Sequence, residues 1–215
     1  MISVVLVDDH DLVRAGLKRL LEDTRDLRVV AEAGSGEEAL RMLRRRRPDV
    51  VLMDVNMPGM GGLEATRRLR QLAPEVKVIV VTVHVEQPYP RRLLEAGAAG
   101  YLTKGSSLEE IVSAIRAVHA GERYISADIA QRVALSMVPG AHQSPFDRLS
   151  QREMQVLLMF TQGHSVPAIS EKLNISRKTV STYRHRLFAK LEVHSDMELL
   201  KLAMRHGMIE KDTAP

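Results

Sequence analysis

The first 120 residues alternate between two textures, and few folds accommodate that pattern. Short runs rich in β-branched residues occur at Ile2–Val7, Val29–Ala31, Val50–Met53, Val76–Thr82 and Ala99–Leu102. Each is followed by a stretch of helical periodicity, at 11–22, 36–46, 61–72, 86–96 and 107–120. The runs are almost continuously apolar, as strands buried on both faces must be. Five such strands alternating with five helices predict an α/β domain built on a five-stranded parallel sheet of flavodoxin-like type.

After Gly121 the alternation stops. Asp128–Ser136 reads as a short helix with Asp128 as its N-cap. Residues 138–145, with Pro139, Gly140 and Pro145, read as exposed linker. From 149 to 206 the pattern is wholly helical. Ser150 with Glu153 forms a capping box, and Leu149 with Met154 a hydrophobic staple. That helix is expected to reach Gln162 and stop at Gly163. A second covers Val166–Leu173, with Pro167 in its first turn and Asn174 as the left-handed turn after it. Ser176 caps a third to Leu191, and Asp196 opens a fourth ending at Gly207. The expected organisation is a domain at 1–120, a linker with a short helix at 121–146, and an all-α four-helix domain at 147–210.

Composition narrows the chemistry. The chain has no cysteine, which excludes disulfides, thiolate metal sites and a cysteine nucleophile. The eight histidines show no zinc spacing, and no nucleophile elbow or triad signature is present. Gly34-Ser35-Gly36 is followed by no Gly-Lys-Ser/Thr, so it is a loop before a helix and not a phosphate loop. The N-terminus lacks the basic segment of a signal peptide, and no apolar run approaches the roughly 18 residues of a membrane span. A soluble, cytoplasmic protein without membrane contact is expected, and not an enzyme.

In parallel α/β sheets ligands bind at the carboxyl ends of the strands. Asp8 and Asp9 stand at the end of the first strand, Asp54 and then Asn56 at the third, Thr82 at the fourth, and Lys104 just past the fifth. Three carboxylates that close repel one another unless a cation sits among them. Mg²⁺ suits the set, because it takes oxygen ligands, keeps several waters and needs few carboxylates. Thr82 and Lys104 would then neutralise and hydrogen-bond a phosphoryl group. Taken singly, Asp8 and Asp9 are more readily read as caps of the first helix, and any one Asp at a strand end is unremarkable. The convergence of four strand ends is what favours a site.

The third predicted helix of the C-terminal half carries the second signal. Between 176 and 191 there are five basic residues and no acidic one. On a helix turning 100° per residue, Val180, Leu187, Leu191 and Tyr183 form one apolar stripe. Lys178, Thr182, His185 and Ala189 fall on the opposite side, flanked by Ser181 and Arg186. A small, polar and basic face suits the DNA major groove, although an ordinary amphipathic surface helix has a similar pattern. Arg184 falls on the core side, where it should pair with an acid or extend along apolar surface. Arg44-Arg45-Arg46-Arg47 also looks like a nucleic-acid patch, but it ends a predicted helix just before Pro48, where cations favour the helix dipole.

The segments Val7-Asp8-Asp9-His10, Leu52-Met53-Asp54-Val55-Asn56-Met57-Pro58, Val81-Thr82 and Tyr101-Leu102-Thr103-Lys104 resemble the signature set of bacterial response-regulator receivers. That resemblance implies that Asp54 accepts a phosphoryl group from a sensor histidine kinase. It implies Mg²⁺ held by Asp8, Asp9, Asp54 and the Asn56 backbone carbonyl, with Thr82 and Lys104 on the phosphoryl oxygens. Pro58 and Gly61 would shape the loop after the acceptor strand. Tyr101 would be the switch aromatic that turns inward as Thr82 is drawn to the phosphoryl group; otherwise it is a partly buried strand residue. Val83 departs from the small residue common in receivers, His84 lies where relatives tune hydrolysis, and Pro88 and Pro90 put the length of the fourth helix in doubt.

Leu149-Ser150-Gln151-Arg152-Glu153 and Ile169 through Val180 resemble the LuxR-type helix-turn-helix. Both domains together are similar to the NarL/FixJ class, and the whole text to its GacA/UvrY group. The resemblance implies that Lys178, Ser181, Thr182 and His185 contact DNA bases, while Arg177, Thr179 and Arg186 meet phosphates. It implies a homodimer on promoter DNA, with Met197, Leu199, Leu200 and Leu202 of the last helix available for dimer contact or core packing. Two rivals remain beside the phosphorylation-controlled regulator: a constitutive, phosphorylation-independent DNA-binding dimer, and a metal-dependent phosphatase using the same acidic rim.

Overall fold

Strand β1 (Ile2–Val7) lies between β2 (Leu27–Ala33) and β3 (Val50–Asp54), and β4 (Lys77–Thr82) and β5 (Gly100–Thr103) follow outward from β3. All are parallel. The chain leaves β1 in one direction to make β2 and returns past it to make β3, so the strand order reverses between β1 and β3. The structure is a computed structural model and describes residues 1–82, 89–136 and 144–206, which cluster as two units.

Helices α1 (Asp11–Glu22), α2 (Gly36–Leu43), α3 (Gly61–Leu72), α4 (Tyr89–Glu95) and α5 (Leu108–His119) connect the strands. α1 packs beside α5, and α2 beside α3, which in turn meets α4. Alternate strand residues therefore bury on opposite sides. Val4, Leu6, Val50, Leu52, Ile79, Val81 and Leu102 join Ile111, Ile115 and Val118 of α5 in one continuous core. Trimming a wholly buried side chain such as Ile115 to alanine would cost about 2–5 kcal/mol.

The sequence predicts five strands; the structure adds a sixth. β6 (Tyr124–Ile125) runs parallel to β5, with Gly100 opposite Tyr124 and Tyr101 opposite Ile125. Two residues carry no periodicity of their own. Their place is set by Gly121, at φ +93°, just past α5, and by Tyr124 packing on the core. Part of the segment expected as linker thus belongs to the sheet. α6 (Ala127–Ser136) begins one residue before Asp128, so Asp128 lies in its first turn and is not its N-cap. α2 ends at Leu43, three residues short of the expected 46, in a tightened turn where the Arg45 amide bonds back to the Met42 carbonyl three residues before it. α4 begins at Tyr89, with Pro90 in its first turn. Val83, His84 and Pro88 lie outside the described residues.

The second unit opens on a 3-10 turn, Pro145–Arg148, capped by Ser144. It buries Phe146 completely, edge-on to the His206 ring at 5.5 Å. Helices α7 (Gln151–Thr161), α8 (Val166–Leu173), α9 (Arg177–Leu191) and α10 (Asp196–Arg205) follow. The Ser150–Glu153 capping box forms in both directions, and Leu149 and Met154 are both buried beside it. Ser165, Ser176 and Ser195 cap the next three helices by accepting from the amide three residues on. Asn174 takes the left-handed conformation, φ 51°, between α8 and α9. Glu192 does the same after α9 at φ 55°, a turn that the sequence did not announce. Gly207 lies outside the described residues.

Candidate functional site

The parallel register lines up the strand ends: Val7 stands beside Met53, Asp54 beside Val81, and Thr82 beside Thr103. Asp8, Asp54, Thr82 and Lys104 therefore share one rim, at the end of the sheet where the order reverses. Asp8, Asp54 and Thr82 are buried. The Lys104 ammonium donates to Asp8 Oδ2 at 2.8 Å and to Asp54 Oδ2 at 2.9 Å. The Asn56 amide donates to Asp54 Oδ1 at 3.2 Å. Asp8 Oδ1 accepts from the His10 amide at 2.8 Å and lies 2.9 Å from His10 Nδ1.

Burial pushes the Asp54 carboxyl above its ordinary value; Lys104 pulls it down, and the Asp8 charge pushes it up again. Burial alone would lower the Lys104 ammonium, but its hydrogen bonds to Asp8 and Asp54 outweigh that and raise it. Asp54 is thus a carboxylate kept in poor solvation by the fold, with a cation beside it.

Neither Asp8 nor Asp9 caps α1. The N-cap position is His10, whose own side chain makes no capping hydrogen bond to the helix. Ligand atoms of Asp8, Asp9, His10 and Asp54 all lie within 4.8 Å of one another. Asp9 Oδ1 lies 3.1 Å from His10 Nδ1 but is buried without a hydrogen bond. A buried carboxylate oxygen lacking a hydrogen bond, among two further carboxylates, is a donor set that fits a hard divalent cation.

Tyr101 is wholly buried in β5, and burial raises its phenol well above the ordinary range. The loop after β3 turns through Gly59 at φ +74° and Gly61 at φ +66°. Sequence reasoning named Gly61 and missed Gly62, whose amide donates to the Val55 carbonyl at 2.9 Å. It also missed Arg14, whose Nη1 donates to the main-chain carbonyl of Asp8 at 2.6 Å. The adjacent glycine pair was a visible signal for the first; nothing in the sequence marked the second.

In the second unit, Val180, Leu187 and Leu191 of α9 are buried, while Arg177, Lys178, Thr182, His185 and Arg186 are exposed. Ser181 and Thr179 are half-buried. The Thr179 hydroxyl lies 2.8 Å from that of the cap Ser176, and Thr182 Oγ1 donates to the Lys178 carbonyl at 3.0 Å. His185 Nδ1 lies 2.8 Å from the Ser181 carbonyl. Arg184 makes a two-pronged bond to Asp196, at 2.8 and 2.6 Å, and lies over the Phe188 ring, the core-side role its angle implied. Lys190 donates to the buried Glu153 carboxylate at 2.6 Å and to the Arg148 carbonyl at 3.2 Å. The basic charge of α9 thus divides into two anchored residues and an outward set. Leu199 is core; Met197 and Met204 of α10 are exposed.

A doubly wound parallel sheet with acids and a lysine at its carboxyl rim, followed by a capped helical domain presenting a basic helix, defines a receiver joined to a helix-turn-helix. The chain belongs to the response regulators with a LuxR-type domain: residues 4–116 match the response regulator receiver domain, and residues 147–203 the bacterial regulatory proteins of the luxR family. It is 58% identical to the response regulator GacA of Pseudomonas aeruginosa, covering 98% of this chain and 99% of that one. It is 54% identical to the response regulator UvrY of Escherichia coli, covering 99% and 98%. Among solved structures, RcsB of Salmonella enterica serovar Typhimurium, bound to promoter rprA in the presence of phosphomimetic BeF3-, matches over 95% of this chain and 99% of that chain at 26% identity and a TM-score of 0.69. No helix among the described residues is long and apolar enough to cross a membrane.

Proposed function

We propose that this regulator is switched by phosphoryl transfer to Asp54 and then binds promoter DNA through the outer face of α9. The observation that carries the reading is the position of Asp54: a buried carboxylate at the end of β3, bonded to Lys104 and adjoining Asp8. The phosphodonor is a sensor histidine kinase. An Asp54 oxygen attacks phosphorus as the P–N bond to the donor imidazole breaks, and the imidazole leaves with the electron pair and takes up a proton. Asp8, Asp9, Asp54 and the Asn56 carbonyl are the residues to hold Mg²⁺, which supplies charge neutralisation for the transferring group. Lys104 and Thr82 receive the phosphoryl oxygens.

Lys178, Ser181, Thr182 and His185 read base edges, and Arg177, Thr179 and Arg186 position the helix on phosphates. Only what stabilises the active receiver over the inactive one shifts the balance. Tyr101 and Thr82, both buried on the neighbouring strands β5 and β4 with their positions two residues apart in register, are the elements to register that shift. The active form is a homodimer reading two half-sites, with exposed Met197 and Met204 of α10 as contact residues, and it works in the cytoplasm.

The test is DNA binding by wild type and Asp54→Asn, with and without a small phosphodonor and Mg²⁺. Tighter binding by wild type alone supports the reading. Equal binding by both, donor or not, replaces it with a constitutive dimer.

A further inference from the structure

We infer that Arg14 is a positioning residue for the cation site, an inference that rests on the reading of Asp8, Asp9 and Asp54 given above. Arg14 stands in the first turn of α1, and its side chain is 17% exposed. Beyond the Nη1 bond to the Asp8 carbonyl, its Nη2 donates to the Asp11 carboxylate at 2.5 Å. Its Nε is buried without a hydrogen bond and lies 4.0 Å from Glu32 Oε2. The other oxygen of Glu32 accepts from the Lys18 ammonium at 2.8 Å. A relay of charges thus runs from the edge strand β2 across α1 to the main chain of Asp8.

The Asp11 partner does not explain the arrangement. That carboxylate is 92% exposed, and an exposed ion pair of this kind contributes little. The Asp8 carbonyl is the informative partner. A peptide group is planar, so pinning the carbonyl of Asp8 also pins the N–H and Cα of Asp9. Arg14 therefore holds the peptide that joins the two carboxylates, setting how Asp9 stands relative to Asp8. Its rigid fork reaches the Asp8 carbonyl and Asp11 together while its Nε faces Glu32. A lysine offers one compact ammonium and cannot occupy all three places.

The test uses the full chain as wild type, Arg14→Ala, Arg14→Lys and Glu32→Gln. Mn²⁺ binding is read from loss of the free-ion paramagnetic resonance signal, with Mg²⁺ as competitor, and melting temperature is measured without metal. Removing a group that orients metal ligands typically weakens binding about 10–100-fold. Arg14→Ala is expected to lose roughly tenfold, Arg14→Lys to recover only part of that, and Glu32→Gln to lose a few-fold. These losses should not follow the order of the melting temperatures. Should Arg14→Ala fail to fold, the Arg14→Lys and Glu32→Gln arms still decide the matter. Wild-type affinity in the variants, or a loss that tracks melting temperature across them, overturns the inference. A wild type that binds neither ion overturns the pocket reading itself and this inference with it, a result visible in the first sample alone.

Discussion

Gly62 lies so close to β3 that a Cβ added to it would sit 2.0 Å from the Asp54 carbonyl oxygen and 2.8 Å from the Asp54 carbonyl carbon. No side-chain motion relieves such a contact, because both atoms belong to the main chain. Either the start of α3 moves away from β3, or the Asp54 peptide does. Gly62→Ala is therefore expected to destabilise the receiver by about 3 kcal/mol or more, and to remove phosphodonor-dependent labelling in whatever fraction still folds. Urea unfolding and a phosphoprotein mobility gel check the two halves.

Asp54 illustrates the cost of keeping a carboxylate inside. Its carboxyl is raised by burial and by Asp8 against the pull of Lys104. Stability therefore falls as pH rises past the ordinary value of 3.8, where the unfolded chain ionises first, and the full cost is present above the folded-state value. Asp54→Asn keeps the shape and removes the charge. Measured by denaturation at pH 7 without divalent metal, it should be more stable than wild type by about 1 kcal/mol, a common gain where a functional site carries strain. Acetyl phosphate should label wild type and leave this variant untouched.

The Glu153 carboxyl has the opposite sign. Burial pushes it up, but Lys190 and the Ser150 amide and hydroxyl hold it below its ordinary value of 4.5. Above that value both folded and unfolded chains are ionised, and the stabilisation is fully present. As pH falls through 4.5 the unfolded chain protonates first, and the stabilisation drains away until the lower folded value is passed. The helical domain should thus lose stability through this window, and Glu153→Gln should flatten the loss while costing about 2 kcal/mol at pH 7. Thermal melts across pH 3–7, an experimental range, test it.

The outward and inward cations of α9 should separate in a salt titration of DNA binding. Lys178→Ala and Arg186→Ala should each reduce the slope of log affinity against log salt by about 1. His185→Ala should cost about 1–3 kcal/mol at one base position, seen as relaxed preference there. Arg184→Ala should leave the slope unchanged, since Asp196 already occupies its guanidinium.

What could be read in the sequence was what depends on local pattern. Val50 to Met53 reads as a strand because both of its faces are buried, and the rim residues follow once the strand ends are known. The face of α9 follows from angle alone, and so does the pairing of Arg184 with an acid. What could not be read depends on the path of the backbone in space. β6 exists because α5 ends where Tyr124 meets the core. Arg14 reaches the Asp8 carbonyl only because α1 starts where it does. The arginine run mimics continued helix, yet α2 ends at Leu43, with Arg44 at its C-cap and Arg45 and Arg46 in the turn that follows. Phe146, a lone aromatic next to two prolines' worth of apparent linker, gives no sign that it is a core residue.

The two sides of α9 share no residue. Val180, Leu187 and Leu191 seat it, Arg184 and Lys190 tether it to Asp196 and Glu153, and Lys178, Thr182 and His185 take no part in either. Rewriting the outer side chains therefore leaves the seating intact. With base reading by these three side chains, as proposed above, a lineage carrying this domain would acquire a new operator by point changes without first passing through a misfolded ancestor.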